Sequence, residues 1–261
     1  MTETSTSTTT AATALSVRLV GGPTVAFEYA GLTFLTDPTF DEPGVYPGRV
    51  DLHKLTGPAL SPDELGRIDV VLLSHDEHAD NLDHAGRDLL ARVPKVFSTP
   101  GAAERIPGVT GLENWQTVQV GDVEVTGVPA LHGPEGAEAV TGVVTGFVLR
   151  APGEPVVYVS GDNASVDVVR EVAERVGPIE VAILFAGGAN VGAFGDVDIT
   201  LNSGTAIAAA LALGDALIVP VHAEGWGHFT EGVDELARAF ARAGLADRLR
   251  VPVRGESVSV G

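Results

Sequence analysis

Four apolar runs, RIDVVLLS (67–74), VEVTGVPA (123–130), PVVYVS (155–160) and ALIVPV (216–221), each pass directly into a loop carrying histidine or aspartate. Runs this short, rich in β-branched residues and bounded by Gly, Pro or Asp, read as buried strands. The loops place His75, His78 and Asp80 after the first run, His132 after the second, Asp162 after the third and His222 after the fourth. Strand ends of this kind can converge on one edge of a sheet, which is how α/β folds assemble their sites.

The rest of the chain supports that organisation. Further strands are expected at 15–20, 24–30, 32–37, 95–98, 115–120, 145–150 and 181–186, with Gly-Gly-Pro and Ala-Gly turns between the first three. Helices are expected at 84–92, 101–105, 164–176, 203–213 and 231–243. In the third of these, Val166, Val169, Val172, Ala173 and Val176 share one face. Residues 38–67, rich in Pro, Gly and Asp, read as a long irregular loop, and loops of that length are usually functional. Strand-rich halves that each end in αβ units predict a layered α/β sandwich in one domain over 14–261. Residues 1–13, MTETSTSTTTAAT, cannot bury apolar surface and are expected to form a flexible tail.

Composition excludes several classes. The chain has no cysteine, so a metal site must use histidine and carboxylate. Its net charge of −19, with two lysines and no basic run, speaks against a nucleic-acid surface. No apolar run approaches the roughly 20 residues that span a bilayer, and the N-terminus has no secretory signal, which predicts a cytoplasmic protein. There is no Gly-x-Ser-x-Gly elbow and no phosphate-binding Gly-x-x-x-x-Gly-Lys loop.

Taken singly, each candidate residue has an ordinary reading. Asp162 could cap the helix expected from 164, and His132 could be a polar loop residue. His53 and His84 read as surface residues. His228, six residues beyond His222 in the loop AEGWGHF, could border a pocket. The joint placement of His75, His78, Asp80, His132, Asp162 and His222 is what points to a metal site, where neutral imidazoles and ionised carboxylates suit Zn, Fe or Mn.

The segments FEYAGLTFLTDPTF (27–40), IDVVLLSHDEHADNLD (68–83), VPALHGP (128–134), VYVSGDN (157–163) and IVPVHAEGWGHF (218–229) together resemble, in order, the metallo-β-lactamase-fold hydrolases, particularly the ascorbate-6-phosphate lactonase-like branch. The resemblance implies a four-layer αββα sandwich whose strand-end loops hold one or two divalent metal ions, with zinc first and manganese or iron as alternatives. The opening motif departs from the family's His-x-His-x-Asp-His. Read from the left, His75 takes the first place, with Glu77 and Ala79 at the second histidine and the aspartate. Read from the right, His78, Asp80 and Asn81 take the later places and Asp76 the first. The right-hand register is preferred because DNLD matches the family's entry into the helix, and an extra residue carried as a bulge would still let His75 reach in.

In that register the resemblance assigns His78, His132 and Asp162 to a first metal, completed by Asp76 or His75. Asp80, Asp162 and His222 would hold a second, with Asn81 a poor substitute for the family's histidine. Glu77 stays open as ligand, general base or solvated residue, and Asp37 is expected near the site in a supporting role. A divalent cation lowers the pKa of its water from 15.7 to roughly 7. Asp80 would then orient the nucleophile or protonate the leaving group, and His222 or His228 could assist. The expected activity is metal-dependent hydrolysis of a small lactone, ester, amide or phosphodiester. The alternative is a family member whose metal site drifted towards binding or other chemistry. A nuclease with an inserted domain conflicts with the acidity. Loops 38–66, 133–141 and 187–202 would shape the pocket, with the Gly-rich FAGGANVGAFG (185–195) able to approach a ligand through its backbone and Phe40, Tyr46, Trp226 and Phe229 as candidates for its mouth. A homo-oligomer is compatible with the chain but is not readable from it.

Overall fold

Successive strand residues point to opposite faces, so an uninterrupted apolar run has to be covered on both sides. The computed structural model, which describes residues 14–261, meets that requirement with four layers. The expected tail at 1–13 lies outside the described residues. The first half runs β1 (Leu15–Gly21), β2 (Thr24–Tyr29), β3 (Leu32–Thr36), β4 (Gly44–Tyr46), β5 (Leu52–Lys54), α1 (Pro62–Leu65), β6 (Val70–Leu72), α2 (His84–Leu90), β7 (Lys95–Ser98), α3 (Pro100–Arg105) and β8 (Val109–Gly111). The second runs β9 (Thr117–Val120), β10 (Val123–Pro129), α4 (Glu138–Thr141), β11 (Thr145–Arg150), β12 (Val157–Val159), α5 (Val166–Val176), β13 (Val181–Phe185), α6 (Ser203–Ala212), β14 (Leu217–Val221), α7 (Val233–Arg242) and β15 (Ser257–Val260).

Two sheets form, in the orders β15-β1-β2-β3-β6-β7-β8 and β14-β13-β12-β11-β10-β9. Their inner faces share one core, in which Val17, Phe27, Phe34, Val70 and Leu72 meet Val125, Phe147, Val157, Val159, Ile183 and Val219. The alternate residues face outwards. Leu35, Val71 and Leu73 pack with Leu89 and Leu90 of α2, while Tyr158, Ala182 and Leu184 pack with Val169 and Val172 of α5 and with Ala206 and Ala209 of α6. This is the expected αββα sandwich. Across the shared core the Tyr29 hydroxyl donates to Pro155 O at 2.9 Å, tying the first sheet to the segment leading into β12. Tyr29→Phe keeps the ring packing and leaves one buried carbonyl unpaired, so urea unfolding should show a loss of about 1 kcal/mol without change of slope.

The short helix α4 and the following features differ from the sequence-based expectation. The 38–67 loop contains the antiparallel hairpin β4–β5, registered Gly44 to Lys54 and Tyr46 to Leu52, and the short capped helix α1. Edge strands β8 and β15 lie outside the expected set; each is short, β8 pairing with the preceding strand β7 and β15 with β1 at the other end of the chain. The cap of α5 is Ser165, whose side chain accepts from Val168 N, which leaves Asp162 free of that duty.

Around the middle of the sandwich, β3, β6, β7 and β8 are parallel, as are β12, β13 and β14. The loops that follow β6, β12 and β14 therefore leave from corresponding strand ends, and the loop after the antiparallel β10 joins them. Thr145 N donates to Ser74 O at 3.0 Å and Leu131 N to Asn163 Oδ1 at 3.0 Å, which stitches these loops together.

Candidate metal centre

At this rim one ligand atom from each of His75, His78, His132 and Asp162 lies within 4.8 Å of the others, and the same holds for Asp80, Asp162 and His222. Six residues named from the sequence thus form two adjoining clusters that share Asp162.

His75 and His132 are each aimed by a partner on the far side of the ring. His132 Nδ1 donates to Ile199 O at 2.7 Å, so its Nε2 carries a bare lone pair. His75 Nδ1 lies 2.9 Å from Ser74 Oγ, which turns His75 Nε2 to within 2.9 Å of His78 Nδ1. His132 Nε2 is 3.2 Å from the same His78 nitrogen and 3.4 Å from Asp162 Oδ2. Burial pushes the His75 imidazole well below its ordinary pKa, reinforced by His78 and His132, and burial likewise lowers His132. Both are neutral at pH 7.

In the second cluster, His222 Nε2 and His228 Nε2 approach one oxygen, Asp80 Oδ2, at 3.1 and 3.0 Å. Burial works against ionisation of Asp80, yet His228 and His222 hold its carboxyl well below the usual carboxylate range. Burial also opposes protonation of His222, but Asp162 and Asp80 outweigh it and raise its pKa. His222 sits in the left-handed region at φ 54°, a conformation that costs a non-glycine residue energy and concentrates at functional sites. Gly187 makes the turn feasible, because a Cβ there would lie 2.2 Å from His222 O.

The donor set fits a divalent cation. His132 Nε2, bare because Nδ1 donates to Ile199 O, faces His78 Nδ1 at 3.2 Å, and buried Asp162 Oδ2 has no hydrogen-bond partner. Leaving such groups unpaired is costly unless a cation completes them.

The remaining predicted residues separate clearly. Asp76, offered as an alternative to His75, is not in the first cluster. Its carboxylate is gripped by Arg105, with Nε 3.1 Å from both oxygens and Nη2 2.5 Å from Oδ1, and Arg87 Nη2 lies 3.5 Å from Oδ2. Glu77 accepts from the same Arg105 Nη2 at 2.5 Å and lies on a cavity wall. The extra residue between His75 and His78 is thus a bulge held outwards by Arg105, a role that nothing in the local motif announces. Asn81 Nδ2 donates to Asp162 Oδ1 at 3.1 Å. Asp37 accepts from Ser74 N at 2.5 Å and, through burial, has its pKa raised to about 7. Of the aromatic candidates only Tyr46 lines the cavity; Phe40 is buried beneath the first sheet with Leu82 and Leu89, Trp226 is buried beside Lys54, and Phe229 packs on His222. His84 is exposed and paired with Asp41.

A cavity of about 360 Å³ opens over the clusters, with His78, Asp80, His132 and His228 on its floor. Its walls come from the β4–β5 hairpin and from 140–142 and 189–199, including Val50, Leu52, Val140, Val191 and Ile199.

The chain matches the Beta-lactamase superfamily domain over residues 33–223, a span that contains every member of both clusters. The chain belongs to this superfamily. Among its relatives, UPF0173 protein YddR of Bacillus subtilis (strain 168) is 25% identical over 256 residues, covering 93% of this chain and 99% of that protein. A UPF0173 metal-dependent hydrolase of Methanosphaerula palustris is 27% identical over 183 residues, covering 67% of this chain and 77% of that one. The isothiocyanate hydrolase from Delia radicum gut bacteria superposes with a TM-score of 0.79 at 21% identity, covering 93% and 98% of the two chains, a likeness of fold. Superfamily membership and the paired clusters together support a metal-dependent hydrolase. No helix among the described residues is long and apolar enough to cross a membrane.

Proposed function

We propose that this protein hydrolyses a compact, uncharged, largely apolar molecule at an acyl-type carbon: an ester, lactone or amide in preference to a phosphodiester. The observation that carries this reading is the convergence of the His75, His78 and His132 imidazoles with Asp162 beneath a mostly aliphatic cavity. Arg49 is the one Lys or Arg on the lining, and it is exposed. The other charged side chains there are Asp80, which would face the cation, and Glu77, which is held by Arg105, so apart from Arg49 no cationic side chain lines the cavity to seat an anionic group. The lactonase-like resemblance falls within this class, since a lactone is a cyclic ester. An organic isothiocyanate, the substrate class in the name of the structurally similar gut-bacterial enzyme, is also small, apolar and uncharged.

A bound divalent cation would acidify water and stabilise negative charge on the substrate oxygen. His75, His78, His132 and Asp162 would hold one such ion, and Asp80, Asp162 and His222 a second. Asp80, kept ionised and facing the cavity, accepts a hydrogen bond from the attacking water and so orients it. The aliphatic walls exclude bulk water and seat the apolar part of the substrate.

The test compares zinc-reconstituted protein on phenyl acetate, a γ-lactone, a phenyl isothiocyanate and bis(p-nitrophenyl) phosphate. At least one neutral substrate should exceed the phosphodiester in kcat/KM by about 100-fold, or roughly 2.7 kcal/mol. Activity on it should vanish on chelation and return with metal. Equal or faster turnover of the phosphodiester sinks the substrate assignment, and activity that survives complete metal removal sinks the metal-dependent reading.

A further inference from the structure

The second cluster is one ligand poorer than the first: Asp80, Asp162 and His222 against His75, His78, His132 and Asp162. Asn81, beside Asp80 in the motif, turns its amide nitrogen onto the carboxylate of Asp162. Nδ2 donates to Asp162 Oδ1 at 3.1 Å, and lies 3.3 Å from Asp37 Oδ2 and 3.5 Å from Ser74 Oγ. The amide N–H is a donor only, and Asn81 Oδ1, buried without a hydrogen-bond partner, is a neutral oxygen and a weaker ligand for Zn than an imidazole.

We propose that His228 fills this place, so that the second metal centre is built from Asp80, Asp162, His222 and His228. The inference rests on the metal-dependent reading above. His228 Nε2 meets the same Asp80 oxygen as His222 Nε2, at 3.0 and 3.1 Å, and so joins through Asp80 the group Asp80, Asp162 and His222, whose ligand atoms lie within 4.8 Å of one another. The His228 side chain is only 10% exposed, and its Nδ1 is buried without a partner. Its direction is set by backbone. Gly227 N donates to His53 O at 2.9 Å and Asn190 N to His228 O at 2.9 Å, while Trp226 bridges to Lys54 and Phe229 to Ala189. The loop is therefore held between the β4–β5 hairpin and the Gly-rich segment after β13, with the histidine already turned towards Asp80. Two carboxylates and two imidazoles make a four-donor set suited to Zn, Fe or Mn. His228 lies five residues beyond the span matched to the superfamily domain, which ends at residue 223.

Metal stoichiometry and Co(II) absorption of the full-length protein test the assignment. The wild type should take up two equivalents. His228→Ala should keep the first with unchanged affinity and bind the second more than about 100-fold more weakly, beyond the roughly 10–100-fold expected if His228 only supported Asp80 by a hydrogen bond. The Co(II) band of the second centre should be lost as well. If His228→Ala does not fold, His228→Gln, which keeps most of the bulk and has no imidazole, carries the same measurement. Two tightly bound equivalents in the variant with the wild-type spectrum overturn the proposal while leaving the metal-dependent reading intact. So does loss of the second equivalent in Asn81→Ala but not in His228→Ala. A wild type that binds no metal at all overturns both.

Discussion

Asp162→Ala should empty both metal centres together and lower kcat/KM on the order of 10⁴-fold or more, since a hydrolytic cation supplies several kcal/mol of transition-state stabilisation. Asp162 is the one carboxylate common to the two clusters. One of its oxygens lies 3.4 Å from His132 Nε2 and the other 3.6 Å from His222 Nδ1, so a single side chain faces both. His132→Ala should lose metal from the first centre and His222→Ala from the second, and only Asp162→Ala should lose both. Elemental analysis after reconstitution checks this directly, and a variant that retained a full equivalent would refute the shared role.

Asp83→Ala should have the opposite profile, destabilising the protein by about 3–5 kcal/mol whether metal is present or not. Its carboxylate accepts from Phe40 N at 2.9 Å, Asp41 N at 2.7 Å, Gly86 N at 2.8 Å and Lys54 Nζ at 2.7 Å. The side chains of Lys54 and Asp83 are 3% and 0% exposed. Removing Asp83 therefore leaves a buried ammonium and three backbone donors unpaired and takes the N-cap from α2. Lys54→Met combined with Asp83→Ala should recover part of the loss, because no buried charge is then left alone. Urea titration of the single and double variants measures the coupling. A single-variant loss below about 1 kcal/mol would show that water or neighbouring groups replace the carboxylate. Since Lys54 anchors the hairpin that walls the cavity, the single variant should also raise KM.

The loop after β6 shows what local reading can and cannot reach. Three histidines and four carboxylates in SHDEHADNLDHAG announce a metal loop, and the strand-end positions of His132, Asp162 and His222 strengthen that reading. Whether His75 or Asp76 faces the cluster was not legible. That choice depends on Arg105, 29 residues further on, which grips Asp76 and turns the bulge outwards. The β4–β5 hairpin was hidden for a related reason. Its strands of three residues are too short to show a period of two, and they are held by Asp83 and by the bridge from Lys54 to Trp226. Phe40, placed at the pocket mouth on its aromatic character, is instead core, because Asp83 holds its backbone N–H beneath the first sheet.

By itself the sequence determined the sandwich, through apolar runs that must be covered on both faces, and the chemical type of the site, through histidine and aspartate at four strand ends in a chain without cysteine. Only the tertiary structure decided that these residues form two clusters sharing Asp162, that His75 points in while Asp76 points out, and that His228 reaches Asp80. Periodicity is a local property and survives in any window of the chain. The direction of a loop side chain is set by partners such as Arg105, Ile199 and Gly187, whose approach depends on how the two sheets pack.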